Sequence, residues 1–141
     1  MTPAKGYIFS RSFFGQRVPQ RVQNIVVRDF AAQKQFNVSF SSVEYCHTGS
    51  TAILESLLDA TLPGEVIIFY SVFQFPEQPG TREKLYKVMS KKRVTIHTAL
   101  EGLIISDSES IQKLESLIAI KGYHTVVEHT LLSNILDFKL G

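Results

Sequence analysis

The segment that most constrains the fold is the most continuous apolar run in the chain, EVIIFYSVF, from Glu65 to Phe73. Pro63 and Gly64 precede it, and a polar, proline-containing stretch over residues 74–80 follows it. A strand that is apolar at nearly every position has both faces buried, which is typical of a central strand in a parallel sheet. Such a sheet needs crossover helices on both faces. The run therefore predicts a three-layer α/β domain.

Strand-like and helix-like segments alternate along the rest of the chain, as this architecture requires. The predicted strands are 6–11, 36–44, the central run, 94–98 and 102–106, and helices are predicted to begin near Pro19, Ser50 or Thr51, Arg82, and Asp107 or Ser108. In the first helix Val22, Ile25, Val26 and Phe30 recur at helical spacing, which predicts that this face is buried. Apolar and polar residues alternate over 36–44, which favours a place toward a sheet edge. The prediction is a mostly parallel sheet of four to five strands.

Length and composition favour one domain spanning residues 1–141, since 141 residues with 44% hydrophobic content suit a single core. Residues 122–141 are expected to form a C-terminal tail with apolar residues at helical spacing. The tail either packs on the domain or pairs with a second copy, so a homodimer stays open.

Charge and cysteine content limit the binding partners and the cellular location that the sequence predicts. A net charge of +2 and a pI near 8.7 are only mildly basic, so nucleic-acid binding is disfavoured as a first reading. A single cysteine, Cys46, cannot form an internal disulfide. The sequence contains no apolar run of about 18 residues and no charged-then-apolar leader, so we expect a cytoplasmic protein without a membrane segment.

A polar segment follows the first predicted strand and marks the candidate site. Ser10, Arg11 and Ser12 fall at the carboxyl end of that strand, the edge at which open α/β sheets place ligands. Arg11, Arg17 and Arg21 are expected to converge there on an anion, because guanidinium groups bind phosphate or carboxylate by paired, charged hydrogen bonds. A helix amino terminus would add partial positive charge.

Residues after the second and third strands complete the predicted crevice. Glu44 and Tyr45 follow the second strand, and Gln74 follows the third. We assign Ser10, Arg11 and Glu44 to catalysis, and Ser12, Arg17, Arg21, Tyr45 and Gln74 to ligand binding. Gln74 and Tyr45 either bind a sugar hydroxyl or satisfy loop backbone groups, and the second reading is slightly favoured.

The remaining motifs do not favour a catalytic cysteine, a metal site or a nucleotide site. Cys46 and His47 are neighbours in a loop, where adjacent side chains usually diverge, which disfavours a nucleophilic cysteine. His124 and His129 lack the spacing of a helical metal pair, and no glycine pattern forms a nucleotide cradle, so neither a metal nor a cofactor is expected. The adjacent Phe13 and Phe14 form a lid, a partner contact or a plug on the core.

The run GYIFSRS, the loop VEYCHTGS and the segment LLDATLPGEVIIFYSVFQF resemble, in order and spacing, the catalytic domain of serine recombinases of the resolvase and invertase type. The resemblance covers about residues 6–120 and implies a serine nucleophile near Ser10 or Ser12 that attacks a DNA phosphate with help from arginines. Where that family has Asp-Arg-Leu, this chain has Val72-Phe73-Gln74-Phe75, and the 45–50 loop has no arginine. These departures disfavour recombinase activity, because phosphodiester attack needs positive groups on the non-bridging oxygens.

The strings GYIFSR, RVPQRVQN and YSVFQFP also resemble sporadic carbohydrate cluster proteins, a bacterial family found with genes for surface-polysaccharide biosynthesis. This resemblance implies a phosphorylated or nucleotide-linked sugar as ligand.

Three hypotheses follow, and the sequence leaves open whether the protein is an enzyme. The preferred one is a surface-carbohydrate biosynthesis protein that binds or processes an anionic sugar or nucleotide sugar at the arginine-edged crevice. The second is a DNA-associated, degenerate relative of serine recombinases. The third is a noncatalytic scaffold or subunit of a biosynthetic complex.

Overall fold

The computed structural model describes residues 2–122 and residue 134, so the predicted tail lies almost entirely outside the described residues. The elements in chain order are β1 (Thr2–Phe9), α1 (Gln20–Gln33), β2 (Phe36–Glu44), α2 (Ala52–Ala60), β3 (Val66–Phe69), a 3-10 turn (Val72–Gln74), α3 (Pro79–Lys92), β4 (Thr95–Thr98) and β5 (Leu103–Ile105). A fourth helix, α4, begins at residue 108 and is described as far as residue 122. None of the described helices is both long and apolar enough to cross a membrane.

The sheet has the order β2-β1-β3-β4-β5, with every pairing parallel except that of β4 with the short β5. The apolar run supplies β3, the central strand, and all four residues of β3 are buried. β2 lies at one edge of the sheet, as its alternating pattern predicts. The predicted α/β architecture with a mostly parallel, five-stranded sheet is confirmed.

Helices cover both faces of the sheet. Tyr7 of β1 and Phe69 of β3 occupy the same register row, and Phe69 packs against Phe75, whose ring lies 6.4 Å from that of Tyr86 on α3. His97 of β4 lies in the adjacent row and contacts the ring of Phe30 on α1. α1 and α3 therefore cover opposite faces, as right-handed crossovers in opposite directions require.

The third strand is shorter than the apolar run that predicts it. Ser71 ends the strand by a local turn: its hydroxyl accepts a hydrogen bond from the Phe73 amide at 3.2 Å and donates one to Glu101 at 2.6 Å. Glu101 also accepts a hydrogen bond from the Val72 amide at 3.0 Å. An apolar composition does not reveal such a turn, because Val72 and Phe75 remain buried after the strand has ended.

The buried face of α1 differs from the predicted one. Val22 and Ile25 are 43% and 58% exposed, whereas Gln23 has no exposed surface and Val27 is buried beside it. Gln23 occupies the interior because its side-chain amide is satisfied by buried partners at the strand ends, described below. Gln23 thus shares the buried face of the helix with Val27 and Phe30.

The pKa of His97 lies below its ordinary value because burial, and secondarily the charge of Lys34, disfavours the imidazolium form. The Nδ1 atom of His97 is buried without a hydrogen-bond partner among the described residues. The folded state therefore takes up the His97 proton only below the pH at which the unfolded chain does.

We expect the stability that depends on neutral His97 to be present above about pH 6.5 and to fall as the pH drops below that value, by at most about 1.4 kcal/mol per pH unit. Urea unfolding between pH 7.5 and 5.5 measures the slope, and a His97→Phe variant, whose ring fits among Phe30 and Phe36, should flatten it. Replacing the exposed His47 by glutamine is the control. Equal slopes for the wild type and His97→Phe would contradict this origin.

Candidate functional site at the carboxyl edge

A cleft of about 380 Å³ opens at the carboxyl edge of the sheet. β1 lies between β2 and β3, so the chain reverses its direction of travel across the sheet there, which is where open α/β sheets form ligand crevices. The lining consists of the end of β1, the loop before α2 and the segment before α3: Phe9, Arg11, Ser12, Cys46, Thr48, Gly49, Thr51, Phe73, Phe75, Pro76, Glu77, Gln78 and Thr81. Of the predicted site residues, only Arg11 and Ser12 line it.

Arg11 is held at the cleft by two contacts that leave most of its donors free of the protein backbone. Its guanidinium carbon lies 4.1 Å from the centre of the Phe9 ring, and one terminal nitrogen donates a hydrogen bond to the Tyr45 carbonyl at 3.0 Å. A guanidinium group has five N–H donors, so this arrangement orients a cation while retaining capacity for an anion.

The two candidate serines have different surroundings. The Ser10 hydroxyl donates a hydrogen bond to the Glu44 carbonyl at 2.7 Å, and Ser10 does not line the cleft. Ser12 is exposed and lines the cleft beside Arg11. If either serine contacts a ligand in this cleft, the geometry favours Ser12.

Glu44 is buried, and its carboxylate accepts five hydrogen bonds. Oε1 accepts from the Tyr7 hydroxyl at 2.8 Å and the Leu54 amide at 3.1 Å. Oε2 accepts from the Tyr45 amide at 3.0 Å, the Ser50 hydroxyl at 3.0 Å and the Ile53 amide at 3.2 Å. Both oxygens are thus occupied by the protein, and the carboxylate does not line the cleft. In this arrangement its role is to hold the loop that follows β2.

These contacts also set the charge states around Glu44. Burial raises the pKa of Glu44, but hydrogen bonds from the Leu54, Ile53 and Tyr45 amides and the Tyr7 hydroxyl outweigh burial and hold the pKa below its ordinary value. Burial and the adjacent Glu44 carboxylate raise the pKa of Tyr7. The pair therefore consists of a carboxylate and a neutral phenol at neutral pH.

Glu44 also takes the place of a local N-terminal cap on α2, which is predicted to begin near Ser50 or Thr51. Thr51 occupies the N-cap position without a side-chain capping bond, and the Ser50 hydroxyl is directed to Glu44. A carboxylate from another strand thus satisfies the amides of Ile53 and Leu54, which a local cap would otherwise bind. Because it also compensates the positive end of the helix dipole, this helix end is a poor anion site.

A pair of buried glutamines joins the ends of β1 and β3. The Gln23 side chain binds both the amide and the carbonyl of Phe9, each at 2.9 Å, and donates to the Val18 carbonyl at 2.8 Å. Gln74 donates to the Gln23 side-chain oxygen at 2.6 Å and accepts from the Tyr70 amide at 2.9 Å. Gln74 is 1% exposed, so it braces the floor of the site and does not reach the cleft.

Arg17, Arg21 and Tyr45 lie outside the cleft. Arg17 and Arg21 are exposed near the start of α1, which Gln23 holds beside the end of β1. Tyr45 stacks on His47 with ring centres 5.8 Å apart and supplies only its carbonyl to Arg11. The three predicted anion-binding arginines thus share one edge of the domain but do not converge in the cleft.

The two adjacent phenylalanines form a plug, which is one of the three predicted alternatives. Phe13 is buried and packs edge-on against Phe9, with ring centres 5.5 Å apart. Phe14, at φ 48°, and Gly15, at φ 75°, form the tip of a tight turn closed by reciprocal backbone bonds between Phe13 and Gln16. The Phe14 ring contacts Phe73, so this turn supports the cleft wall from behind.

Arg82 braces the wall of the cleft formed by Pro76 and Glu77. It is 4% exposed, and one terminal nitrogen donates to the carbonyls of Pro76 at 3.0 Å and Glu77 at 2.8 Å. Its other nitrogens bind both oxygens of Glu115 on α4, at 2.8 and 2.7 Å. The hydrogen bond from Arg82 is the main cause that lowers the pKa of Glu115.

Sequence reasoning missed the threonines of the cleft and the lining segment before α3. Thr48, Thr51 and Thr81 line it together with Glu77 and Gln78. The signal available in the sequence was their position after β2 and β3, at the carboxyl edge. Among the described residues, no group of acidic, histidine or cysteine side chains is arranged to hold a metal ion.

Solved structures with this architecture include two recombination enzymes. The N-terminal catalytic domain of TP901-1 integrase matches with a TM-score of 0.55 at 15% identity, over 88% of this chain and 98% of that one. A resolvase family site-specific recombinase from Streptococcus pneumoniae matches with a TM-score of 0.57 at 12% identity, over 96% of this chain and 98% of that one. The fold is resolvase-like. No family model and no curated protein sequence matches the chain.

The comparisons confirm the fold that the first of the two sequence resemblances implies. Membership of the sporadic carbohydrate cluster family remains a prediction, because none of these comparisons concerns that family. At 12–15% identity, the two matches concern the fold and not the activity.

Proposed function

We propose that the protein is a DNA-associated relative of serine recombinases that contacts the phosphate backbone without cutting it. The observation that carries the proposal is the extent of the structural match, which covers 98% of both recombinase chains and 88–96% of this one. Because similarity at 12–15% identity concerns the fold, the partner is inferred from the surface chemistry that accompanies it.

The arginines of the carboxyl edge support a backbone contact. Arg11, Arg17 and Arg21 form no salt bridge with any residue in the described part of the chain. Arg17 and Arg21 are exposed on the first turn of α1 and the loop before it. Arginines without carboxylate partners suit phosphate oxygens, which position a protein on a duplex without reading its sequence.

The cleft is poorly equipped to stabilise a cleaved phosphodiester. Arg11 is the one basic residue that lines it among residues 2–122, and the acidic residue Glu77 lines the same space. The segment that follows β3 contributes Phe73 and Phe75 instead of arginine. With one cation and one anion, the site lacks the concentrated positive charge that a phosphoryl transition state requires.

The proposal predicts salt-sensitive binding to duplex DNA that depends on Arg17 and Arg21. Fluorescence anisotropy with a labelled duplex of about 25 base pairs should show an affinity that falls linearly with the logarithm of salt concentration. An Arg17→Ala/Arg21→Ala variant should weaken binding about equally for unrelated sequences and reduce the salt slope by about two.

The matched control removes two cations elsewhere: Lys91→Ala/Lys113→Ala changes the net charge equally, and both lysines are exposed. Denaturing gels of the same reactions should contain neither cleaved DNA nor a covalent protein–DNA adduct. Equal losses of affinity in the two double variants would contradict the arginine contact. A Ser12-dependent adduct would contradict the noncleaving assignment.

A further inference from the structure

A narrow apolar groove runs between α2 and α3 next to the cleft. It has a volume of about 140 Å³ and is lined by Leu54, Leu58, Leu85, Val88, Thr51, Pro76, Thr81, Glu55 and Lys84. Leu54, Leu58 and Leu85 are buried and form its floor, whereas Val88 is 38% exposed at its side.

The groove is adjacent to the polar cleft. Thr51, Pro76 and Thr81 line both spaces, so the two lie side by side. The chemistry changes across these residues: the cleft side presents the Arg11 guanidinium and the hydroxyls of Ser12 and Thr48, and the groove side presents mainly aliphatic carbon. A small molecule that fills both spaces must therefore be polar and anionic at one end and aliphatic at the other.

We propose that the cleft and groove together bind a soluble, single-chain phosphate amphiphile, with its phosphate at Arg11 and its aliphatic chain between α2 and α3. The cleft volume of about 380 Å³ exceeds that needed for a phosphate alone, so a hydroxylated linker between phosphate and chain fits beside the threonines. Glu77 and Gln78 also line the cleft, and side chains of these types can accept hydrogen bonds from such hydroxyls.

The aliphatic end has a physical reason to enter the groove. Val88 is exposed beside the leucine floor, and covering it with an aliphatic chain removes apolar surface of both partners from water. The phosphate end also has a physical reason to bind. Arg11 is already held by Phe9 and by the Tyr45 carbonyl, so it loses little side-chain freedom when it binds the phosphate. This site does not depend on DNA binding, which is tested above through Arg17 and Arg21.

Isothermal titration with three matched probes tests the joint site. They are 1-octanoyl-glycerol 3-phosphate, kept below its micelle concentration, glycerol 3-phosphate, which lacks the chain, and monooctanoin, which lacks the phosphate. We expect the complete amphiphile to bind at least tenfold more tightly than either part. Equal affinity for the amphiphile and glycerol 3-phosphate, or for the amphiphile and monooctanoin, would overturn the proposal.

Two variants separate the two ends of the site. Arg11→Gln should lower the affinity for the amphiphile and for glycerol 3-phosphate by the same factor, about tenfold. The affinity for monooctanoin should not change. Val88→Asp should lower the affinity for the amphiphile to that for glycerol 3-phosphate. The affinity for glycerol 3-phosphate itself should not change.

The control is Val22→Asp on α1, because Val22 is 43% exposed and lines neither space. Melting temperatures of all three variants establish that each is folded. A loss of chain affinity as large in Val22→Asp as in Val88→Asp would show nonspecific adsorption and overturn the proposal.

Discussion

Replacing Glu44 with glutamine is expected to lower the free energy of unfolding by about 3 kcal/mol or more, although the two side chains have nearly the same size. The carboxylate accepts five hydrogen bonds, from Tyr7, Tyr45, Ser50, Ile53 and Leu54. A glutamine side chain has one oxygen, and its NH₂ group would face two or three of these donors. Each buried donor left without an acceptor costs about 1–3 kcal/mol.

Urea unfolding of wild type and Glu44→Gln measures the loss, and Glu109→Gln, at an exposed position on α4, is the matched control. The pH dependence gives a second readout. Because the folded-state pKa of Glu44 is depressed, its contribution is present above the unfolded pKa of about 4.3 and is lost as the pH falls through the lower folded value. The variant should lack this part of the acid sensitivity. A loss below about 1 kcal/mol would contradict the assigned role.

Replacing either buried glutamine should lower the free energy of unfolding by nearly as much as Glu44→Gln does. Replacing both should lower it by less than the sum of the two single losses. Gln23→Leu leaves the Phe9 amide and carbonyl, the Val18 carbonyl and the Gln74 side-chain nitrogen without their partner. Gln74→Leu does the same to the Tyr70 amide. We expect each single variant to lose about 2–3 kcal/mol.

A double-mutant cycle measures the interaction between the two amides. The Gln23→Leu/Gln74→Leu variant contains no stranded side-chain amide, so its loss should fall short of the sum by about 1 kcal/mol or more. Gln112→Leu, at an exposed position on α4, controls for the change in composition. Strict additivity of the two losses would show that the 2.6 Å contact between the amides contributes no free energy.

The sequence predicted the layers of the fold because they depend on local patterns. The apolar residues Val66–Phe69 indicate a strand buried on both faces without reference to any distant residue. The central position of β3 in the sheet follows from that burial. The edge position of β2 follows similarly from its alternating residues. These inferences need only the burial preferences of neighbouring residues.

The site was less predictable because it depends on polar contacts between distant residues. From the sequence alone Gln23 is expected at the surface. It is buried because it binds Phe9 and Gln74, which are 14 and 51 positions away in the chain. Glu44 reads as a candidate acid or base at the end of a strand, since nothing local indicates that residues 50–54 fold back to surround it. Arg11 and Ser12 line the cleft at the predicted place, because their position follows directly from the end of β1.

The bond network of Arg82 couples one wall of the cleft to α4. A planar guanidinium group that binds two carbonyls and both oxygens of a carboxylate permits little sliding, so the Pro76–Glu77 segment and α4 are tied together as one stiff unit. The opposite wall is held independently, because Glu44 binds the backbone of the loop before α2 and the Tyr45 carbonyl orients Arg11. Both walls are therefore preorganised, so a ligand that enters the cleft needs to order little of the protein on binding.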